Sequence, residues 1–172
     1  IGEEVARLAQ AFGMMVVASR RSQPAPASGV GYAHELLPEG HLHQLLARSD
    51  FVALCTPLTP QTTGLIGEPE LREMKPTAYL INISRGGVVD EDALVRALQD
   101  GWIAGAALDV VATEPLPEDS KLWGMPNVIL TPHVAGVYQD MRTETTNLFC
   151  RNLKRYAEGE ELFNVVDRSR GY

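Results

Sequence analysis

Five short apolar runs, most of them separated by helical segments, limit this chain to few folds. They are Met14–Ala18, Phe51–Cys55, Ala78–Ile83, Ile103–Val111 and Asn127–Thr131. Runs this short, bounded by turn-forming residues and often β-branched, read as buried strands. They end near Ala18, Cys55, Ile83, Val110 and Thr131. Strands alternating with helices predict an α/β fold with a parallel, doubly wound sheet. In such sheets ligands bind outside the carboxyl ends of the strands. Arg20, Thr56, Arg85, Asp109, Glu114 and His133 lie at or just past those ends. They are expected to line one edge of the sheet.

The segments between the runs fill in the plan. Residues 3–12 place Val5, Leu8, Ala9 and Phe12 at helical spacing, with Glu3 and Glu4 in the first turn and Gly13 as terminator. Residues 22–33, rich in Ser, Pro, Ala and Gly, read as a loop. Leu36, Leu37, Leu42, Leu45 and Leu46 then supply the face of one or two short helices, broken by Pro38 and Gly40. A short helix is expected over Glu68–Met74. Another follows Asp90-Glu91-Asp92, burying Ala93, Leu94, Ala97 and Leu98 and ending at Gly101. A long helix is expected from about Tyr138 to Ala157, stopped by Gly159, before an extended tail at Phe163–Val166. The opening Ile1-Gly2 is what a βαβ unit leaves when cut inside its glycine-rich turn. Gly2 then stands as the last glycine of G-x-G-x-x-G. On that reading the sheet is truncated at its N-terminus, and the chain is a fragment or a processed product, since it starts on Ile1 rather than Met.

Composition narrows the partners. The 172 residues carry a net charge of −7, and no basic block offsets the acid. That argues against nucleic acid or an anionic membrane surface. The cations of 151–155 are mixed into an amphipathic helix and read as a solvated face. No apolar run approaches the roughly 20 residues of a membrane span. Two cysteines, Cys55 and Cys150, fit a reducing compartment, and with no visible signal peptide a cytoplasmic protein is expected. Cys55 reads as a core residue. His34, His41 and His43 read as surface residues, and no metal-ligand spacing is found.

The polar residues at the strand ends suggest a chemistry. Arg85 follows the run Leu80-Ile-Asn-Ile-Ser84 and precedes Gly86-Gly87, which let the backbone turn or approach something closely. It is an anion clamp or a solvated loop arginine. As a clamp it can grip a carboxylate bidentately and polarise the adjacent carbonyl. His133 can give a proton to the oxygen that becomes a hydroxyl, or it can cap a loop. Glu114 can hold the other imidazole nitrogen and raise its pKa, or be an exposed loop acid. Asp109 can accept from an amide or a ribose, or cap the following turn. Thr56 opens a hydroxyl-rich loop that either presents donors to a phosphate or serves as a stiff connection.

Four stretches in order carry a resemblance. Asn82-Ile-Ser-Arg-Gly-Gly-Val-Val-Asp90 with Ala93-Leu94, Gly105-Ala-Ala-Leu-Asp-Val110, Glu114-Pro-Leu-Pro117 and Thr131-Pro-His-Val-Ala-Gly136 resemble the D-isomer-specific 2-hydroxyacid dehydrogenases. Thr56-Pro-Leu-Thr-Pro60 and Met74-Lys-Pro76 lie where that family has similar residues. The resemblance implies a Rossmann-like fold and hydride transfer between nicotinamide C4 and C2 of a small D-2-hydroxy or 2-oxo acid, as in glyoxylate/hydroxypyruvate reductases. It implies that Arg85 binds the substrate carboxylate, that His133 is the proton donor and that Glu114 is its partner. Asp109 would hold the nicotinamide carboxamide. Pro57, Ile83 and Arg85 would border the ring and its ribose, and Gly136 would sit near the ring. Thr56 and Gly2 complete the cofactor set. Many NAD-preferring relatives carry an acid where this chain has Arg20, flanked by Ser19 and Arg21. An arginine there accommodates a 2′-phosphate, so NADP is favoured over NAD.

The same resemblance predicts the organisation. Residues 1–137 would be a nucleotide-binding domain lacking its first strand and most of its glycine-rich turn. Residues 138–172 would be a returning helix and tail that pack on a missing substrate domain. Such a fragment is expected to bind cofactor poorly and turn over little alone, and the family suggests a homodimer. The alternative is an interaction module, a cofactor-sensing or dimerising scaffold without catalysis.

Overall fold

The computed structural model describes residues 1–20 and 27–168. The chain divides into two compact units, Ile1–Pro132 and His133–Tyr172.

The first unit is built on two sheets. Strands β4 (Phe51–Leu54), β5 (Tyr79–Asn82), β6 (Gly105–Leu108) and β7 (Val128–Leu130) form a four-stranded sheet in that order, every pair parallel. These are the last four apolar runs, and the parallel arrangement is as the sequence predicts. Helices α2 (Leu42–Arg48), α3 (Glu68–Glu73) and α4 (Glu91–Gln99) occur between the strands. The residues packed in the core alternate along the strands: Val52 and Leu54, Leu80 and Asn82, Ala106 and Leu108. Helix α4 buries Ala93, Leu94, Ala97 and Leu98, as its spacing predicts, and the Asp90 side chain caps it by accepting from Ala93 N–H at 3.0 Å. The opposite strand positions, Phe51, Tyr79 and Ile129, are exposed, and the Phe51 and Tyr79 rings stack at 5.8 Å.

The second sheet corrects the sequence reading. Strand β1 (Val17–Ser19) does not join the four-stranded sheet. It pairs parallel with β3 (Ala33–Leu37), which pairs antiparallel with β2 (Ala27–Val30). Part of the expected loop is therefore a strand, and Leu36 and Leu37 lie on a strand rather than a helix. Gly29 and Gly31, at φ 65° and 58°, shape the turn region of this hairpin. Pro38 leaves too few residues for a helix, and pairing to β1 decides the conformation. Arg20 consequently follows a strand of the three-stranded sheet, so the polar residues do not share one sheet's edge. Helix α1 (Gly2–Ala11) forms where expected but buries only Ala6, leaving Leu8 and Phe12 exposed.

The second unit contains α5 (Met141–Glu158), closed by Gly159 at φ 72°. Its tail is tied to the helix by Asn152, which accepts from Phe163 N–H at 2.9 Å and donates to Phe163 C=O at 3.0 Å. No helix among the described residues is long and apolar enough to cross a membrane.

Candidate active site

The register of the four-stranded sheet sets Leu54, Asn82, Leu108 and Leu130 in one row. The next residues, Cys55, Ile83, Asp109 and Thr131, form its carboxyl edge. Asp109 N–H donates to Asn82 C=O and Thr131 N–H to Leu108 C=O, each at 3.0 Å, so the pairing continues into this row. Asp109 is buried, and its carboxylate accepts from the Thr131 hydroxyl at 2.6 Å. A buried polar group needs such a partner to offset the loss of water.

Arg85 sits on a tightly built turn. Asn82, 1% exposed, folds its side chain under that turn. Its amide donates to Arg85 C=O at 3.1 Å, and its oxygen accepts from Ser84 N–H at 3.0 Å and Ser84 Oγ at 2.8 Å. The Arg85 side chain is exposed and donates to Ser84 C=O at 2.7 Å. Gly86 follows, where a Cβ would collide with the Val111 carbonyl and the Ala112 nitrogen. Only glycine lets the two backbones come this close.

Glu114 lies on the loop that this contact braces. Its carboxylate accepts from Val111 N–H at 3.3 Å, while Ala112 N–H donates to Glu91 at 2.8 Å. The Glu114–Pro115 peptide is cis. The first unit therefore brings the Arg85 turn and the Glu114 loop together through their backbones.

The remaining residues are spread over several elements. Thr56, just past β4, carries a buried hydroxyl without a hydrogen-bond partner, the single such side-chain oxygen or nitrogen among the described residues. In the adjoining loop Thr62 donates to Pro57 C=O at 2.6 Å and Thr63 to Thr59 C=O at 2.8 Å, so those hydroxyls stiffen the connection. Cys55 is half-buried rather than fully in the core, and burial raises its thiol pKa above the ordinary value. Gly2 begins α1, and a Cβ there would rest 3.5 Å from that of Cys55. Ser19 closes β1 and Arg20 follows it, both exposed; Arg21 lies outside the described residues. His133 and Gly136 belong to the second unit. His133 is exposed, with a left-handed backbone at φ 54°, a conformation histidine adopts more readily than most residues. His34, His41 and His43 are exposed as expected, though His34 also accepts from Val16 N–H at 3.0 Å.

Three contributors escaped the sequence reading as parts of the site: Asn82, Thr131 and Glu91. Asn82 had a visible signal, a polar amide inside an apolar run. Thr131 and Glu91 had none, because their partners are 22 and 21 residues away.

Residues 1–135 match the family described as D-isomer specific 2-hydroxyacid dehydrogenase, NAD binding domain. The chain belongs to this family. It is 43% identical over 171 residues to a glyoxylate reductase of Korarchaeum cryptofilum, covering 98% of this chain and 49% of that protein. A glyoxylate reductase of Thermococcus gammatolerans is 45% identical over 168 residues, with the same two coverages. The chain thus spans about half the length of the curated relatives it matches. Among solved structures it superposes on an NADPH-dependent glyoxylate/hydroxypyruvate reductase from Sinorhizobium meliloti in complex with NADP and sulfate. There the TM-score is 0.87 at 32% identity, covering 99% of this chain and 54% of that one. A D-isomer specific 2-hydroxyacid dehydrogenase from Xanthobacter autotrophicus in complex with NADPH and MES gives a TM-score of 0.83 at 39% identity, covering 98% and 66%. The family's parallel sheet with flanking helices is the one described above.

Proposed function

We propose that this chain is the nucleotide-binding part of an oxidoreductase. It would move a hydride between a nicotinamide cofactor, NADP in preference to NAD, and a small D-2-hydroxy or 2-oxo acid such as glyoxylate. The observation that carries the proposal is the Arg85 turn. That turn follows an inner strand at its carboxyl end, and its Gly86 backbone packs against the loop bearing Glu114, which supports Arg85 and Glu114 serving one site.

The first unit's residues fit the cofactor. The unpartnered Thr56 hydroxyl can be satisfied by a bound polar group. Pro57 and Ile83 offer apolar surface, and the buried Asp109 offers a fixed acceptor for a carboxamide. Ser19 and Arg20, with Arg21 beside them in sequence, suit a 2′-phosphate, and Gly2 at the start of α1 and Gly136 belong to the same proposed cofactor set. When bound, the cofactor supplies or accepts the hydride at C2. Arg85 holds the substrate carboxylate and polarises the neighbouring carbonyl. His133 gives the proton to the carbonyl oxygen, and Glu114 sustains the imidazolium. The two free cysteines support a reducing, cytoplasmic setting, and a homodimer belongs to the same proposal.

Alone, the chain is expected to bind NADPH weakly and turn over little, since β1 and β4 are both end strands and Phe51, Tyr79 and Ile129 are exposed. The test joins this chain to the other half of the Korarchaeum cryptofilum glyoxylate reductase and follows NADPH oxidation with glyoxylate and hydroxypyruvate. Turnover by the fusion, with little by the isolated chain, supports the proposal. NADPH binding by the fusion without turnover on either acid would favour an interaction module instead.

A further inference from the structure

Residues 85–91 grip the backbone of Val111 and Ala112 at two points. Gly86 abuts the Val111 carbonyl so closely that a Cβ would collide with it. Five residues on, Glu91 reaches away from its own helix to accept from Ala112 N–H at 2.8 Å. An acid in the first turn of α4 is explained by the helix dipole. That explanation does not account for a carboxylate bonded to an amide 21 residues away. The preceding amide, Val111 N–H, is taken by Glu114 itself. Two carboxylates therefore hold two consecutive amides, one from the Arg85 side and one from within the Glu114 loop.

We infer that Glu91 is a positioning residue that fixes Glu114 relative to Arg85. Resting on the dehydrogenase reading, its role would be to keep the acid that supports the proton donor in register with the carboxylate clamp. The bond is charge-assisted and stronger than a neutral one. Without it the Ala112 amide loses its acceptor at the end of the loop next to the Arg85 turn, while the far end stays tied by Trp123, which donates to Pro117 C=O at 2.9 Å. A displacement of about 1 Å is enough to cost a positioned group much of its effect. Glu91 touches no reacting atom in this account.

The test uses Glu91→Ala and Glu91→Gln, since glutamine keeps an acceptor without the charge. Amide hydrogen exchange of the 172-residue chain reads the anchor directly. Glu91→Ala should speed exchange at Ala112 at least tenfold while leaving Ala106, inside β6, unchanged. Glu91→Gln should stay within threefold of the original chain. In the fusion, Glu91→Ala should lower kcat about tenfold with the NADPH KM changed less than twofold, and Glu91→Gln should restore most of it. Unchanged Ala112 exchange in Glu91→Ala, or equal losses in both variants, would overturn the inference. A fusion without any turnover would overturn the functional reading, and the exchange data would then decide the anchor alone.

Discussion

The four-stranded sheet and helix α5 both carry apolar residues at the spacing their structures require, and they use them differently. The sheet and its helices bury Leu80, Leu94, Leu98 and Leu108 almost completely. Helix α5 buries none of its residues and leaves Phe149, Leu153 and Tyr156 exposed. Its order rests on local bonds: the Gly159 stop, the Arg155–Glu160 pair at 2.9 Å and the Asn152–Phe163 clamp. Periodicity therefore identifies an element without saying whether this chain supplies its cover. Stability should concentrate where apolar area is removed from water and be thin elsewhere.

That contrast can be broken by substitution. The largest effect is expected at Gly86→Ala, where one methyl group must enter space held by the Val111 backbone. Overpacking against backbone should cost about 3 kcal/mol, read as a lowered midpoint in urea unfolding. A loss below about 0.5 kcal/mol would mean that the Arg85 turn and the Glu114 loop are not rigidly braced. At the small end, Phe149→Ala removes a whole ring that is 65% exposed. Its cost in this chain should stay within about 0.5 kcal/mol, the usual range for surface changes. A cost near 3 kcal/mol would show that α5 is covered in solution and would erase the distinction.

Much of this was legible from residues alone, for identifiable reasons. The strands of the parallel sheet could be found because each is a short apolar run bounded by turn residues, although the face that carries Phe51, Tyr79 and Ile129 is exposed in this chain. Helix α4 announced itself through Asp90, which caps it, and through four correctly placed apolar residues. The β2–β3 hairpin was not legible. Leu36-Leu37 suits a helix or a strand equally, and only the pairing Val17↔Glu35 through Ser19↔Leu37 decides between them. Asp109 could be located because it follows β6 directly, and Arg85 because it lies within three residues of the end of β5. The bracing of the site could not, since Glu91 with Ala112 and Thr131 with Asp109 are contacts made by folding.

The proposed chemistry stands on His133 as the proton donor, and replacing it in an active fusion tests that most directly. His133→Ala should lower kcat for glyoxylate reduction by about 10²–10⁴, the usual worth of a general acid, with NADPH affinity little changed. A loss smaller than threefold would remove His133 from the reaction and contradict the account.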